Sequence, residues 1–103
     1  MSQSQNSVKR ITNVKGEQIS LTDRFMSMKE ITALCSISRT TIKRLMAKAQ
    51  FPPSIHITDS REVWIESDVQ EWRTLGGQAF KAMYGKKLAQ QAAATKLLTI
   101  LEN

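Results

Sequence analysis

Eleven consecutive residues, Ser36-Ile37-Ser38-Arg39-Thr40-Thr41-Ile42-Lys43-Arg44-Leu45-Met46, constrain the fold more than any other part of the chain. They read as a short turn that enters a basic helix. Ser38 is a good N-cap, because its hydroxyl can accept a bond from a backbone N–H left unpaired in the first turn. Ile42, Leu45, Met46 and Ala49 then recur at helical spacing and form one apolar stripe. Thr40, Lys43 and Arg44 face the other way, with Arg39 and Thr41 on the flanks. A helix with an apolar back and a face of Arg, Lys and Thr suits the major groove of DNA.

The residues before this helix sharpen the pattern. Ser27-Met28-Lys29-Glu30 has the Ser-x-x-Glu form of a capping box, and Ile31 and Leu34 follow as the apolar face of a short helix. Cys35-Ser36-Ile37 is then a tight connection between two helices, as in a helix-turn-helix. These residues alone fit equally well an ordinary amphipathic helical hairpin with a solvated basic face.

The residues after it separate the two. Phe51-Pro52-Pro53 stops the second helix, since neither proline can continue it. Ile55-His56-Ile57-Thr58 alternates apolar and polar, Glu62-Val63-Trp64-Ile65 is rich in β-formers, and Asp59-Ser60-Arg61 between them is a hairpin turn. A third helix starts near Ser67, with Val69, Trp72 and Leu75 at three-residue spacing. The predicted fold class is mainly α with a small β-hairpin wing: a winged helix-turn-helix followed by a C-terminal helix. Ile31, Ile42, Leu45, Trp64 and Trp72 are the predicted core.

Residues 24–75 resemble the AlpA-type phage and prophage regulators, which are related to excisionases and to the DNA-binding part of MerR-type regulators. The resemblance rests on Met28-Lys29-Glu30-Ile31, on Ser38-Arg39-Thr40-Thr41-Ile42-Lys43-Arg44-Leu45, on Phe51-Pro52, on Trp64, and on Glu66-Ser67-Asp68-Val69 through Trp72. It covers about half the chain. It implies a winged-helix DNA binder of a mobile element, acting as a recombination directionality factor, as a transcription regulator, or as both. One departure is local: many relatives carry glycine where this chain has Ser36.

Charge distribution agrees with this division. The formal net charge is +6 over 103 residues. Residues 24–50 carry Arg24, Lys29, Arg39, Lys43, Arg44 and Lys48 against Glu30 alone, whereas residues 51–75 carry Arg61 and Arg73 against Asp59, Glu62, Glu66, Asp68 and Glu71. A basic reading unit beside an acidic third helix fits a domain with one DNA face and one solvent face. On this reading Glu66, Asp68 and Glu71 form a solvated face, with Glu66 and Asp68 favoured by the helix dipole.

The expected organisation is a flexible N-terminal arm over residues 1–23, a winged helix-turn-helix domain over 24–75, and a C-terminal helical extension over 76–103. Val8, Ile11 and Val14 form at most a weak stripe in the arm, and Lys9, Arg10 and Lys15 could lie along phosphates. Gly76-Gly77 marks a hinge or helix end, and Gly85 is expected to split or weaken the last helical segment. Phe80, Met83, Tyr84, Leu88, Leu97, Leu98 and Leu101 in that segment fit either a tail helix that covers the domain's own core or a contact surface for a second subunit or partner.

Several function classes lack support. A single Cys35 cannot form an internal disulfide and excludes a zinc finger built on paired cysteines; it is expected to be a small, mostly buried thiol. The single His56 lies on a wing strand, where packing or solvent exposure explains it better than metal ligation. There is no Gly-rich phosphate loop, no His-Glu metal pattern and no Ser/His/Asp set, so neither an enzyme nor a cofactor is expected. No apolar run approaches the roughly 20 residues that cross a bilayer, and the N-terminus lacks an apolar signal-peptide core, so the expected place is the cytosol, with the nucleoid.

The candidate DNA-binding residues are Ser38, Arg39, Thr40, Thr41, Lys43, Arg44 and Lys48 of the second helix, with Ser60 and Arg61 at the wing. Arg39 and Thr41 are carried mainly by the family resemblance. Lys43 and Arg44 could read bases or contact phosphate. Arg61 could enter the minor groove or stand as an exposed turn arginine. Double-stranded DNA at attachment sites or promoters is the expected partner, with a tyrosine integrase and self-association through the C-terminal helix as further ones. The alternative is a protein–protein adaptor that uses that helix.

Overall fold

The computed structural model describes residues 11–102. Their elements run β1 (Phe25–Ser27), α1 (Met28–Cys35), α2 (Arg39–Ala47), β2 (Ile55–Thr58), β3 (Arg61–Ile65), α3 (Glu66–Leu75) and α4 (Gly77–Glu102). The winged helix-turn-helix is present, with a mainly helical chain around one small antiparallel sheet. Its strand order is β1-β3-β2. The wing therefore has a third strand beyond the expected hairpin. Phe25, Met26 and Ser27 pair with Ile65, Trp64 and Val63. Three residues are too few to show a period of two.

Local chemistry sets most boundaries. At the start of α1 both capping-box bonds form: Glu30 N–H donates to Ser27 Oγ at 3.1 Å, and Ser27 N–H donates to Glu30 Oε1 at 2.9 Å. The helix ends at Ser36 in the left-handed region, φ 58° and ψ 36°, the conformation a glycine would adopt there. α2 ends earlier than Pro52 demands. Ala49 takes φ 58°, Gln50 N–H donates to Leu45 O at 2.8 Å and Ala49 N–H to Met46 O at 3.1 Å. That pair of bonds is a Schellman cap, so Ala49 lies past the helix rather than on its apolar stripe. α3 has no side-chain cap from its own N-cap Ile65. Asp23 supplies one from a distance: its carboxylate accepts from Ser67 N–H at 3.0 Å and from Ser67 Oγ at 2.6 Å.

The core is built where the helices close on the sheet. Met26, Ile31, Ile42, Phe51, Trp64 and Val69 are buried together, with Met28, Cys35, Ile37, Leu45, Met46 and Trp72 against them. Phe51 lies between the two tryptophans, edge-on to Trp64 at 6.5 Å and tilted against Trp72 at 4.7 Å between ring centroids. Both indole N–H groups are satisfied by backbone carbonyls, Trp64 by Pro52 at 3.1 Å and Trp72 by Gln50 at 2.7 Å. Leu34 departs from its predicted place. It is 39% exposed, and Met28 and Cys35 share the inner face with Ile31 instead. Burial raises the Cys35 thiol pKa.

A second cluster joins the ends of the chain. Val14, Phe80 and Tyr84 are buried together against Trp72, Leu75 and Leu88. Val14 is thus packed on the folded body, within the stretch up to residue 23 where a flexible arm was expected. Val14 N–H donates at 2.9 Å to the carboxylate of Asp68, which is 3% exposed. Asp68 is therefore no part of a solvated face, and burial, with Asp23 and Glu71 nearby, pushes its pKa up to about 6. Glu71 accepts from Tyr84 Oη at 2.7 Å and pairs with Lys15 Nζ at 3.7 Å. The bond to Glu71 pushes the Tyr84 pKa up to about 12.

α4 is one continuous helix through Gly85, which does not split it. A Cβ at Gly85 would stand 3.1 Å from Lys81 Cγ, one turn back on the same helix, and in ordinary contact with Ala49 Cβ at 3.6 Å. Phe80 and Tyr84 cover the body, whereas Met83 is 60% and Leu97 57% exposed. Val8, Lys9, Arg10 and the side chains of Leu98 and Leu101 lie outside the described residues. Among the described residues no helix is long and apolar enough to cross a membrane.

Candidate nucleic-acid interface

α2 is held from behind by Ile42, with Leu45 and Met46 half-buried beside it, and this turns Arg39, Thr40, Lys43, Arg44 and Lys48 to the surface. Its N-terminus is fixed by Ser38, whose hydroxyl oxygen accepts from Thr41 N–H at 3.1 Å. Ser38 Oγ also donates to Thr41 Oγ1 at 3.0 Å, so these two hydroxyls brace the first turn. No carboxylate lies within α2, and the partial positive charge of its N-terminus adds to Arg39 beside it.

The wing brings a second group toward this helix. β2 pairs with β3 through Ile55↔Val63 and His56↔Glu62. The register then shifts so that Thr58 faces Arg61. The turn proper is Asp59-Ser60, and Arg61 is the first residue of β3 rather than the turn tip. Ser60 and Arg61 are both exposed. Among the described residues Arg39, Arg44, Lys48 and Arg61 take part in no ion pair.

Lys43 differs from the other cations. Its ammonium donates to Glu62 Oε1 at 2.7 Å and Oε2 at 2.9 Å, and lies 5.9 Å from the centroid of the Trp64 ring. Ser54 Oγ donates to Glu62 Oε2 at 2.5 Å. Burial alone would raise the Glu62 pKa, but the bonds from Lys43 and Ser54 outweigh it and hold the carboxyl below its usual range. Glu62 and Ser54 were not legible as site residues. The opposite charges of Lys43 and Glu62, 19 residues apart, were the only sequence signal, and pairing them required knowing how the wing folds back.

Three other carboxylates collect away from α2 and the wing. A shallow hollow of about 560 Å³ is lined by Asp23, Glu66 and Glu71 among others, and by no residue of α2 or the wing. Glu66 is tied to Arg24 at 3.2 Å, which also approaches Glu30 at 3.5 Å, and these two carboxylates raise the Arg24 pKa.

Residues 24–75, the segment from β1 through α3, match the family model described as Prophage CP4-57 regulatory protein (AlpA). The chain belongs to the AlpA family. Its matched region holds α1, α2, the wing and α3, and leaves α4 and the residues before 24 outside. The uncharacterized protein ORF88 of Enterobacteria phage P4 is 36% identical over 50 residues, which cover 48% of this chain and 57% of that protein. The chain thus spans little more than half of the phage protein's length. No solved structure matches this AlpA-family chain.

Proposed function

We propose that this AlpA-family protein binds double-stranded DNA, with the N-terminal half of α2 in the major groove and the wing on the flanking backbone or minor groove. The observation that carries the reading is a set of exposed cations with no ion-pair partner among the described residues, Arg39 and Arg44 on α2, Lys48 at its C-cap and Arg61 on the wing, while the carboxylates of α3 are engaged within the fold. Such a face releases counterions at every phosphate it meets, and the affinity falls steeply with salt. Arg39, Thr40 and Thr41 stand at the helix end that enters a groove, and Ser38 shapes that end. Arg61 and Ser60 stand where a wing meets the neighbouring groove, whose negative potential is strongest where A·T tracts narrow it.

The biological reading is control of a mobile element, either as a directionality factor that bends attachment-site DNA for a tyrosine integrase or as a promoter-binding regulator. Both need the same interface. Footprinting on attachment-site and promoter DNA, combined with a bending assay, separates them. Protection with bending at attachment sites supports the first, protection confined to a promoter the second, and no protection on either counts against DNA binding.

Met83 and Leu97, exposed on a helix that extends past the body, support an added role for α4 in self-association. Sedimentation of the intact chain and of Leu97→Lys tests it: loss of a wild-type dimer in the variant is the expected outcome.

A further inference from the structure

Arg39, Arg44, Lys48 and Arg61 have no ion-pair partner among the described residues, whereas Lys43 has one. Two elements and a loop make the contact: Lys43 on α2, Glu62 on β3, and Ser54 in the loop ahead of β2. Both Glu62 oxygens are occupied by donors, two contacts from the ammonium at 2.7 and 2.9 Å and one from Ser54 at 2.5 Å. The ammonium also lies 5.9 Å from the centroid of the Trp64 ring. The Lys43 side chain is 42% exposed and that of Glu62 21%, so the ammonium still meets solvent while the carboxylate is the more enclosed partner, with a third donor that an isolated surface pair lacks. A bidentate, charge-assisted contact with a third donor and an aromatic face fixes the carboxylate in place.

A carboxylate set into a surface that approaches phosphates is otherwise a cost to binding. Its effect follows from how DNA gains affinity. Arg39, Arg44 and Lys48 can each neutralise any phosphate they meet and so release a counterion condensed on the DNA. Lys43 has already exchanged its environment for Glu62, so a phosphate must break the Glu62 contacts before it gains the cation. Random DNA, which offers no fixed register, gives nothing to offset that loss. A site in register can place a guanine edge or a phosphate oxygen at Lys43 Nζ and recover it.

We propose that Glu62 is a specificity-determining residue of this interface: it withholds Lys43 from random DNA and yields it only to a duplex whose register places an acceptor at the ammonium. This rests on the DNA-binding reading above. The same clip ties α2 to the wing, so Glu62 also fixes the angle between the two elements that reach the DNA.

The test compares the intact wild-type chain, Glu62→Gln, Lys43→Met and the double variant on a random-sequence duplex and on a duplex carrying the footprinted site, across 50 to 200 mM salt. For Glu62→Gln the random-DNA salt slope should steepen by about 0.9, equivalent to roughly threefold more affinity gained over that fourfold salt range, and the ratio of specific to random affinity should fall. In the Lys43→Met background the gain from Glu62→Gln should disappear. Lys43→Met alone should leave the random-DNA slope unchanged while weakening the footprinted site. That variant carries the test if Glu62→Gln fails to fold.

An unchanged slope for Glu62→Gln overturns the proposal. So does a gain that persists undiminished without Lys43, since Glu62 would then act only by its own repulsion of phosphate. A fall of about 0.9 in the slope for Lys43→Met alone also overturns it, because Lys43 would then be a free cation. A wild-type chain that binds no DNA overturns both this proposal and the DNA-binding reading, whereas wild-type binding with indifference to these variants overturns this one alone.

Discussion

α2 and α3 are nearly equal in length and lie in the same small domain, yet they use charge in opposite ways. On α3 each carboxylate has a partner within the chain: Glu66 with Arg24, Asp68 with Val14 N–H, Glu71 with Tyr84 and Lys15. Of the cations on α2 and at its C-cap, Arg39, Arg44 and Lys48 have none among the described residues, and Lys43 is the exception. Their N-termini differ in the same sense. Ser38 caps α2 locally, while α3 depends on Asp23, 44 residues away in sequence from the Ser67 it binds. Charge on α3 therefore works toward the fold, and charge on α2 is left for a ligand. Sequence composition shows only that one helix is basic and the other acidic. The engagement of each group is what separates structure from interface.

The largest expected effect lies where the two helices share a core. Trp64→Ala and Trp72→Ala should each cost about 3–5 kcal/mol, a large part of what a small domain has. Trp64 is fully buried, and Trp72 links the two apolar clusters. Chemical denaturation measures this, and an unchanged midpoint for Trp72→Ala would break the placement of α3.

Asp68 gives the next effect. Its folded pKa of about 6 lies above the ordinary value of 3.8, so the proton is held more tightly in the folded state. The stability this contributes is fully present below about pH 3.8 and is lost as pH rises through 6. The loss is at most about 3 kcal/mol from the size of the shift. Asp68→Asn should remove that dependence. The difference in unfolding free energy between wild type and variant, measured from pH 4 to 8, should change by that order. A flat difference would mean that Asp68 is solvated and the N-terminal segment does not cover it.

The smallest effect concerns the turn between α1 and α2. Ser36 sits at φ 58°, where an L side chain carries a cost that glycine does not. Ser36→Gly should stabilise the chain by about 0.5 kcal/mol after the added freedom of the unfolded glycine is subtracted. Thermal melts of the two proteins check it. A destabilised variant would mean that the serine hydroxyl contributes more than the strain costs.

The parts of the fold that were legible in the sequence are those with local causes. Ser27 and Glu30 marked α1, Ser38 marked α2, Asp59-Ser60-Arg61 marked the wing turn although Arg61 already belongs to β3, and Val69 with Trp72 marked α3, because each signal lies within a few residues of what it determines. What escaped depends on distant partners. β1 exists only because Phe25–Ser27 meets β3. Val14 is buried because it meets α4 and Asp68, 54 residues away. The site divides in the same way. Arg39, Thr40 and Arg44 stand exposed on α2 as the sequence pattern suggests, but the capture of Lys43 by Glu62 follows from the wing's return toward α2, which no local pattern records.

The contrast between the two helices is tested most directly by the salt dependence of binding to random duplex DNA. The measurement compares wild type with Arg39→Ala/Arg44→Ala/Lys48→Ala. Removing three unpaired cations should reduce the slope of log affinity against log salt by roughly 2.7, with the melting temperature nearly unchanged. A slope equal to wild type, or a triple variant that loses its fold, would contradict the claim that α2 holds its charge for DNA.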